Sequence, residues 1–426
     1  MHLLTFNKQQ QDFAKLILYL QLILHEHGAE TLKYRKMGSL EWKVSALGFG
    51  CMRLPSRRIN KLRAKTEESI EIIRYGIDQG INYIDTAWPY HLGDSEKILG
   101  KALKDGYRER VHLVTKLPMF MVRDAKHFDK YLKSQMKRLQ TDYLDGYLFH
   151  ALNEGQFEKV KKLGLIDKME EAKNEGLIRG IGFSFHDTLP VFKEIIDFFP
   201  WDITQIQYNY VYTCIQATTE GLSYAHSKGI AVVVMEPLKG GTLANPPQEV
   251  LNIIRSAEER RTSVDWALQF LWNKAEISVV LSGMGSKKMV QENCASADRS
   301  GVNSLSLKDQ MIIQELSEIY RKSIVVPCTA CGYCMPCPEG VNIPQNFACL
   351  NNVTLETSFF RRMLARRAYR KLRTSRKKVD FNNPNGNAII CNKCRRCVEK
   401  CPQKIDIPEE LEKVKQALEK RKALFW

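Results

Sequence analysis

The chain has 426 residues, enough for two to three domains and for a core that needs no covalent cross-links. Its 44% hydrophobic and 26% charged residues exclude a disordered chain and a membrane-embedded one. The net charge of +16 is concentrated in residues 324–426, which hold twenty basic residues, nine acidic residues and nine of the twelve cysteines. We therefore expect an N-terminal extension at residues 1–32, a main domain at 33–322 and a cysteine-rich domain at 323–426.

The N-terminal extension has the apolar spacing of an amphipathic helix. Its apolar stretch, residues 16–24, is too short to cross a bilayer, and no small-residue cleavage site follows it. We expect a helix that docks on a partner, or sequence upstream of the native start; a role at a membrane surface is the alternative. No transmembrane segment or secretory signal is predicted, so the protein is expected to be cytoplasmic with reduced thiols.

The main domain alternates short apolar strands with helical patterns. The strands are predicted at residues 44–50, 83–87, 111–117, 144–150, 178–185, 203–208, 230–235 and 277–283. They are continuous apolar runs, which are typical of parallel strands buried on both faces. Eight strand–helix units in about 250 residues predict an α/β fold of the (β/α)₈ TIM-barrel type. A doubly wound open sheet is the alternative, although no G-x-G-x-x-G follows the first strand.

Polar side chains lie at the predicted C-terminal ends of three neighbouring strands, where barrel active sites form. Asp85 and Tyr90 follow the second strand, Lys116 ends the third, and His150 ends the fourth. Reducing a carbonyl by hydride leaves an alkoxide that needs a proton, and a tyrosine still holds its proton at neutral pH. A nearby lysine would lower the pKa of the phenol, a carboxylate would position the lysine, and a histidine would polarise the carbonyl oxygen.

Residues 34–293 resemble the aldo/keto reductase family through six linked motifs: GFGCMRLP, DTAWPY, VTKLP, DYLDGYLFHAL, GIGFSFH and SGMGSKKMVQEN. The resemblance implies an oxidoreductase that reduces a carbonyl or oxidises an alcohol. It makes Tyr90 the general acid, Lys116 the group that lowers its pKa, Asp85 the partner of Lys116 and His150 the orienting group.

The resemblance also implies a nicotinamide site. Its residues would be Ser184, Gln205, Met235, Gly283, Glu292 and Asn293. Ser184 and Gln205 would hold the carboxamide, and Glu292 and Asn293 would contact the adenine. Met235 stands where an aromatic ring commonly stacks on the nicotinamide. Gly283 and Met289 stand where basic residues often bind the 2′-phosphate of NADP. Lys287 and Lys288 are close by and could bind it instead. NADP and NAD are therefore both candidates.

The cysteine-rich domain contains an internal repeat. The first copy begins at Cys328 and has the spacing Cys-x2-Cys-x2-Cys-x2-Cys-Pro. The second begins at Cys391 and has the spacing Cys-x2-Cys-x2-Cys-x3-Cys-Pro. The two copies end in similar sequences, CPEGVNIP and CPQKIDIP. The repeat predicts two equivalent sites. Three cysteines spaced by two let one loop present three thiolates to a cubane cluster, while the cysteine before proline ligates the other cluster.

This spacing resembles bacterial two-[4Fe–4S] ferredoxins. The resemblance implies two ligand sets: Cys328, Cys331, Cys334 and Cys401 for one cluster, and Cys391, Cys394, Cys397 and Cys337 for the other. The first group is one residue short before its last cysteine, which leaves Cys349 as an alternative to Cys337. Structural zinc at two Cys₄ sites is the alternative to iron–sulfur clusters. The segment between the groups predicts a mostly helical domain.

Three scattered cysteines are expected to be small buried hydrophobes: Cys51, Cys214 and Cys294.

Residues 361–378 carry ten basic residues and no acidic one. They predict a solvated face that compensates the negative clusters, or a docking surface for an acidic electron carrier such as a ferredoxin or flavodoxin. Nucleic acid is the less favoured partner, because Tyr369 is the segment's one aromatic residue.

Clusters move one electron and nicotinamide moves two, so a flavin would help to couple them, although no sequence feature places one. We therefore predict an oxidoreductase whose clusters relay electrons to or from the barrel site or a redox partner. The alternative is a nicotinamide-binding redox sensor with structural clusters.

Overall fold

The computed structural model of the protein describes residues 32–56, 63–355, 359–380 and 384–419. The predicted N-terminal extension, except for Leu32, lies outside these residues. Within the described part of the chain, no helix is long and apolar enough to cross a membrane.

Ten strands occur in the described residues. They are β1 (Tyr34–Met37), β2 (Leu40–Ser45), β3 (Leu47–Gly50), β4 (Tyr83–Asp85), β5 (His112–Leu117), β6 (Leu144–Leu152), β7 (Ile178–Phe185), β8 (Ile203–Gln207), β9 (Ala231–Met235) and β10 (Ile277–Ser282). The helices described around the barrel are α1 (Thr66–Asp78), α2 (Asp94–Ala102), α3 (Lys126–Leu139), α4 (Glu154–Lys162), α5 (Leu165–Asn174), α6 (Leu189–Phe198), α7 (Thr218–Ser227), α8 (Gln248–Ser256), α9 (Ser263–Trp272), α10 (Lys287–Asp298) and α11 (Leu307–Ser323). The cysteine-rich region adds α12 (Ile343–Leu355), α13 (Phe359–Arg370) and α14 (Ile407–Leu418).

Strands β3 to β10 close into a parallel barrel in which each strand pairs with the next one along the chain and β10 pairs with β3. All residues of β3, β4, β8 and β10 are buried, which is why these strands read as continuous apolar runs rather than alternating ones. The (β/α)₈ prediction is therefore confirmed, and the open-sheet alternative is wrong.

An antiparallel hairpin, β1–β2, precedes the barrel and was not predicted. The strand predicted at residues 44–50 is in fact two strands, β2 and β3, separated at Ala46. Met37 and Val44 of the hairpin pack with residues of the barrel interior, among them Val114 and Val233. Trp42 stacks on His112, the first residue of β5, with ring centroids 4.7 Å apart. The hairpin thus closes the N-terminal end of the barrel.

The cysteine-rich region contains the three helices α12 to α14, joined by long irregular segments, and has an apolar core of its own. Phe347 and Leu350 of α12 pack there with Tyr369 of α13 and Leu411 of α14. Tyr369 is fully buried. The one aromatic residue of the basic segment is therefore a core residue and cannot stack on a base.

The cysteine-rich region lies against the C-terminal end of the barrel. Gln403 Nε2 donates to Gln207 Oε1 at the end of β8 over 2.6 Å. Lys404 forms an ion pair with Asp187, just after β7. After β9, Gly240 has a φ of +64°, and a Cβ there would lie 1.9 Å from the Thr329 carbonyl oxygen. Since barrel active sites form at this end, the region covers the active-site mouth.

Candidate active site

The centre of the site is a buried ion pair. Lys116 Nζ donates to Asp85 Oδ2 over 2.6 Å and to the Thr86 carbonyl oxygen over 2.9 Å. Asp85 ends β4 and pairs in register with Val114 of the neighbouring β5, so Lys116 follows two residues further toward the barrel mouth. Burial raises the pKa of Asp85, whereas the charge and hydrogen bond of Lys116 oppose that rise. The sequence prediction that the two residues are partners agrees with this geometry.

Tyr90 lies in a short 3₁₀ turn, Tyr90–Gly93, that follows β4. His91 and Leu92 adopt left-handed φ values of 52° and 57° in this turn, which carries the chain from Tyr90 into α2. The Tyr90 ring is buried, and its centroid lies 5.4 Å from Lys116 Nζ. The tyrosine and the ammonium predicted to act together are therefore neighbours.

The electrostatics at Tyr90 differ from the sequence prediction. Lys116 was expected to lower the pKa of this phenol, yet burial, together with Tyr333 and Asp85, raises that pKa well above 10. The reason is that burial, the largest cause of the shift, disfavours the charged phenolate, and Tyr333 and Asp85 disfavour it further. Tyr90 accordingly holds its proton at neutral pH and can donate it.

His150 comes from β6 and faces Tyr90 across the barrel mouth, with ring centroids 6.1 Å apart. The imidazole is buried. Burial, assisted by the positive charge of Lys116, lowers the pKa of His150 well below 6.5. The ring is therefore neutral at pH 7, and it can polarise a carbonyl oxygen through a hydrogen bond without carrying charge.

Tyr333, which stands between Cys331 and Cys334 of the first cysteine group, is not among the site residues predicted from sequence. Its hydroxyl lies 2.8 Å from His150 Nε2 and is also hydrogen-bonded to the hydroxyl of Tyr90. No signal in the sequence joins His150 to a residue 183 positions away. The aromatic residue inside a cysteine motif was the one available hint.

The residues proposed to hold the nicotinamide carboxamide lie at the ends of β7 and β8. Ser184 Oγ accepts a hydrogen bond from the Ala151 amide over 2.8 Å and retains its own proton to donate. Gln205 is buried, and its Oε1 has no hydrogen-bond partner. An unpaired buried amide oxygen beside a hydroxyl fits a primary carboxamide, which offers both donors and an acceptor. Met235, the residue expected beneath the nicotinamide ring, ends β9 and is half-buried.

The residues proposed for the other end of the dinucleotide lie around β10 and α10. Asn293 Nδ2 donates to Ser282 Oγ over 3.0 Å, and exposed Glu292 pairs with Lys288. Gly283 leaves room for the side chain of Arg53, whose Nη2 donates to the carbonyl oxygens of Thr329 and Ala330. The cysteine-rich loop is thus tied to the β10 end of the barrel as well.

The first predicted cysteine set converges. Cys328, Cys331, Cys334 and Cys401 line one small cavity together with Ile343 and Phe347. Burial raises the pKa of Cys328 to about 11 and that of Cys331 to about 12, and neighbouring thiols of the same set contribute to both shifts. Four soft thiol donors in an apolar pocket are the donor set that a [4Fe–4S] cluster takes.

The four cysteines of the second set interact electrostatically. Burial raises the pKa of Cys397 to about 11, with further contributions from Cys337, Cys391 and Cys394. Cys349 instead lies on α12, where its sulfur accepts a hydrogen bond from Gln345. Within the described residues, no group of three or more His, Cys, Asp or Glu side chains is arranged to hold a single metal ion.

The scattered cysteines differ from one another. Cys51 and Cys294 are buried, as expected, but Cys214 is exposed. The expectation that Cys214 is a buried hydrophobe was wrong, because it lies in the irregular segment between β8 and α7 rather than in an element that faces the core.

A cavity of about 890 Å³ lies beside the side chains of Tyr90 and His150, between the barrel and the cysteine-rich region. Tyr90, His150 and His186 line it from the barrel, and Tyr333 and Lys400 from the cysteine-rich side. Its volume falls in the range of small-molecule sites.

A buried tyrosine beside a lysine–aspartate pair, at the mouth of a parallel barrel, is placed where it can donate a proton to a bound molecule. The model of the aldo/keto reductase family matches residues 46–304, more than half of the chain. The chain therefore belongs to the aldo/keto reductase family. The match ends before the cysteine-rich region.

Individual relatives agree with this assignment. L-galactose dehydrogenase from Arabidopsis thaliana is 28% identical over 309 residues, which are 68% of this chain and 94% of the relative. NADH-specific methylglyoxal reductase from Escherichia coli (strain K12) is 27% identical over 282 residues, or 56% of this chain and 84% of that protein.

Solved structures show the same barrel. The holo form of aldo-keto reductase AKR11C1 from Bacillus halodurans is 28% identical, with a TM-score of 0.56 over 67% of this chain and 96% of that one. An aldo-keto reductase from Klebsiella pneumoniae in complex with NADPH is 23% identical, with a TM-score of 0.57 over 67% of this chain and 95% of that one, and supports the fold alone.

Proposed function

We propose that the protein reduces the carbonyl group of a small molecule, or oxidises the corresponding alcohol, with Tyr90 as the proton donor. The observation that carries the proposal is the convergence of Tyr90, His150 and the Lys116–Asp85 pair at one end of the barrel. In the reducing direction the carbonyl carbon gains a hydride and the oxygen gains the proton of Tyr90. His150, neutral at pH 7, stabilises the negative charge that develops on the oxygen.

The hydride donor is proposed to be a nicotinamide cofactor, NADP or NAD, which supplies two electrons as hydride when it is bound. Ser184 and the unpaired Gln205 oxygen support this, because they offer a donor and an acceptor for the carboxamide. The name of one relative agrees, since it is called an NADH-specific reductase. Met235, Gly283, Glu292 and Asn293 are proposed for the rest of the cofactor.

The two cysteine sets are proposed to hold two [4Fe–4S] clusters, which supply or accept single electrons when they are bound. The shared cavity of Cys328, Cys331, Cys334 and Cys401 supports the first set. The mutual proximity of Cys337, Cys391, Cys394 and Cys397 supports the second. A position over the barrel mouth would let the first cluster exchange electrons with the catalytic site. A flavin remains the group that would couple one-electron and two-electron steps.

The proposed redox partner is an acidic electron carrier of the ferredoxin or flavodoxin type. Helix α13 exposes Met363 and Leu364 among arginines that include Arg367 and Arg370. An apolar patch surrounded by one sign of charge is suited to transient docking of a partner with the opposite charge. The buried position of Tyr369 weakens the nucleic-acid alternative further.

A binding measurement tests this surface. Reversing the charge of Arg367 and Arg370 to Glu should weaken binding of an acidic ferredoxin about tenfold or more at low salt, and the wild-type affinity should fall as salt rises. Lys101→Glu with Lys104→Glu, the same charge change on the exposed side of the barrel, is the control. Binding to DNA that exceeds binding to the carrier would contradict the proposal.

The function itself is tested by anaerobic turnover of aldehydes and ketones with NADH, NADPH or reduced ferredoxin as the electron donor. We expect Tyr90→Phe to abolish turnover of every carbonyl that the wild-type protein reduces. Full activity of Tyr90→Phe would exclude the catalytic proposal. Tight NADPH binding by a wild-type protein that turns over no carbonyl would instead support the redox-sensor alternative.

A further inference from the structure

The hydroxyl of Tyr333 lies where two groups of the catalytic site converge. It is 2.8 Å from His150 Nε2 and hydrogen-bonded to the hydroxyl of Tyr90. The rings of Tyr333 and His150 meet edge to face, with centroids 5.8 Å apart. One oxygen atom, supplied by the cysteine-rich region, therefore satisfies both the proton donor and the orienting histidine.

A carbonyl substrate needs the same two hydrogen bonds. If Tyr90 is to donate its proton while His150 stabilises the developing charge, then the substrate oxygen has to lie within hydrogen-bond distance of both groups. That position is taken by Tyr333. The Tyr333 hydroxyl is chemically similar to the alcohol that the reaction would form. Its hydrogen bonds with Tyr90 and His150 are therefore those that an alcohol product would make.

The loop that carries Tyr333 is held against the barrel at other points. Arg53 Nη2 donates to the carbonyl oxygens of Thr329 and Ala330, over 3.3 and 3.1 Å. The Thr329 carbonyl packs against Gly240, where a side chain would collide with it. These contacts fix the backbone of the loop, so the position of Tyr333 in the site depends on the fold of the loop and not only on its side-chain rotamer.

We propose that Tyr333 is a specificity-determining residue of the barrel site, whose hydroxyl occupies the oxygen-binding position and competes with the carbonyl substrate. This rests on the proposed function, since the competition has meaning only if Tyr90 and His150 bind a carbonyl oxygen. A substrate gains access when the Tyr333 side chain leaves, and the cavity of about 890 Å³ beside it is where the substrate body binds.

The competition predicts a particular kinetic signature. A site that is open for only a fraction of the time binds with an apparent affinity reduced by that fraction. Removing Tyr333 from the site should therefore lower KM and leave kcat within about twofold, because no group that moves a proton is lost. A proton-relay role would instead lower kcat and alter its pH dependence.

The test uses 4-nitrobenzaldehyde as the probe and two readouts, equilibrium binding without nicotinamide and steady-state kinetics with it. Tyr333→Ala is expected to tighten binding and lower KM about tenfold. Tyr333→Phe keeps the ring, should fold and bind iron like the wild type, and is expected to shift both values in the same direction by a smaller factor. Leu307→Ala changes an exposed residue at the start of α11 that does not line this cavity, and should leave both values unchanged.

Two results would overturn the proposal. One is unchanged aldehyde affinity in both Tyr333 variants. The other is a hundredfold lower kcat in Tyr333→Phe, which would make Tyr333 part of the proton path. The Tyr90→Phe variant separates these failures from a failure of the proposed function: if Tyr90→Phe is inactive, the catalytic assignment stands whatever the Tyr333 variants do.

Discussion

At the scale of single residues, the site combines a buried cation with a phenol that keeps its proton. The Lys116 ammonium is nearly inaccessible to solvent, and its contacts with Asp85 and the Thr86 carbonyl compensate for the lost hydration. Tyr90 packs above this pair. A substrate oxygen hydrogen-bonded to Tyr90 would be close to the ammonium, whose charge favours the phenolate that remains after proton transfer.

Replacing Tyr90 by Phe should lower kcat for carbonyl reduction about 10²- to 10⁴-fold, the usual contribution of a positioned general acid. The measurement is steady-state turnover of an aldehyde that the wild type reduces. Tyr83→Phe is the matched control, because Tyr83 is buried on the same strand as Asp85 and its hydroxyl has no hydrogen-bond partner. A similar loss in both variants would mean that packing, not proton donation, explains the effect.

The pKa of His150 makes a prediction about pH dependence. Burial lowers this pKa well below 6.5, so the imidazole is neutral across pH 6 to 8 and does not titrate there. The pH profile of kcat/KM should therefore have no inflection near 6.5 that depends on His150. We expect His150→Gln to lower kcat/KM about 10²-fold with an unchanged profile shape. An acid limb near pH 6.5 that disappears in His150→Gln would contradict a neutral histidine.

At the scale of elements, a buried carboxylate joins three neighbouring strands near the N-terminal end of the barrel. Asp145 of β6 accepts the Leu113 amide of β5 over 2.9 Å and pairs with Arg108 over 2.8 Å and Arg179 of β7 over 3.3 Å. Burial alone would raise the pKa of Asp145, but the hydrogen bond with His112 and the charge of Arg108 outweigh it, and the pKa is lowered.

Because the pKa of Asp145 is lower in the folded state than in the unfolded state, the ionised carboxylate stabilises the fold at any pH above the unfolded-state pKa of about 4. This stabilisation is lost as the pH falls through the folded-state pKa. Asp145→Asn should reduce the free energy of unfolding by about 3–5 kcal/mol at pH 7, because it leaves a buried arginine without its partner. The variant should also lose less stability than the wild type below pH 4. Denaturant unfolding at pH 7 and pH 3.5 measures both effects.

The control for Asp145 is Glu158→Gln, which removes a carboxylate from an exposed ion pair with Lys161. Exposed pairs contribute little, so its free energy of unfolding should change by less than about 1 kcal/mol. Equal effects of the two substitutions would show that the Asp145 network does not hold the strands together.

The barrel could be predicted from sequence because its signals are local. Parallel strands buried on both faces are apolar throughout, and each of the eight predicted runs overlaps one barrel strand. The division of the first run at Ala46 was missed, because residues 44–50 are all buried and β2 and β3 differ there in their strand partners. Asp85, Tyr90, Lys116 and His150 could be proposed as one site because each lies close in sequence to the end of a strand, and the structure places their side chains near one another.

The covering of the barrel mouth could not be predicted in the same way. It depends on contacts such as those of Gln403 with Gln207 and of Tyr333 with His150, which join residues more than 180 positions apart. No periodicity or spacing encodes such a pairing. The pKa of Tyr90 was mispredicted for a related reason. The direction of its shift depends on burial beneath the cysteine-rich region, and the barrel motifs carry no information about that burial.

At the scale of the whole molecule, the cysteine-rich region makes a prediction about iron. Anaerobically purified protein should contain about eight iron and eight sulfide per chain. Cys334→Ser and Cys397→Ser should each lose about half of both, because each removes a ligand of one set. Cys214→Ser, which changes an exposed cysteine outside both sets, should lose none. Equal iron in all three variants would exclude the proposed ligands.

The same measurement decides between Cys337 and Cys349. The proximity of Cys337 to Cys391 and Cys397 predicts that Cys337→Ser loses about four iron and that Cys349→Ser keeps all of it. The reverse result would move Cys349 into the ligand set and require α12 to reorient.

The central claim is that a carbonyl-reducing barrel site lies directly beneath an iron–sulfur region of the same chain. Diffraction from anaerobically grown crystals, measured on both sides of the iron absorption edge, tests this claim most directly. We expect two compact iron peaks, one of them among Cys328, Cys331, Cys334 and Cys401 at the barrel mouth, with Tyr333 between that peak and Tyr90. Crystals of fully reconstituted protein that show no iron peak there, or a single zinc ion in its place, would contradict the account.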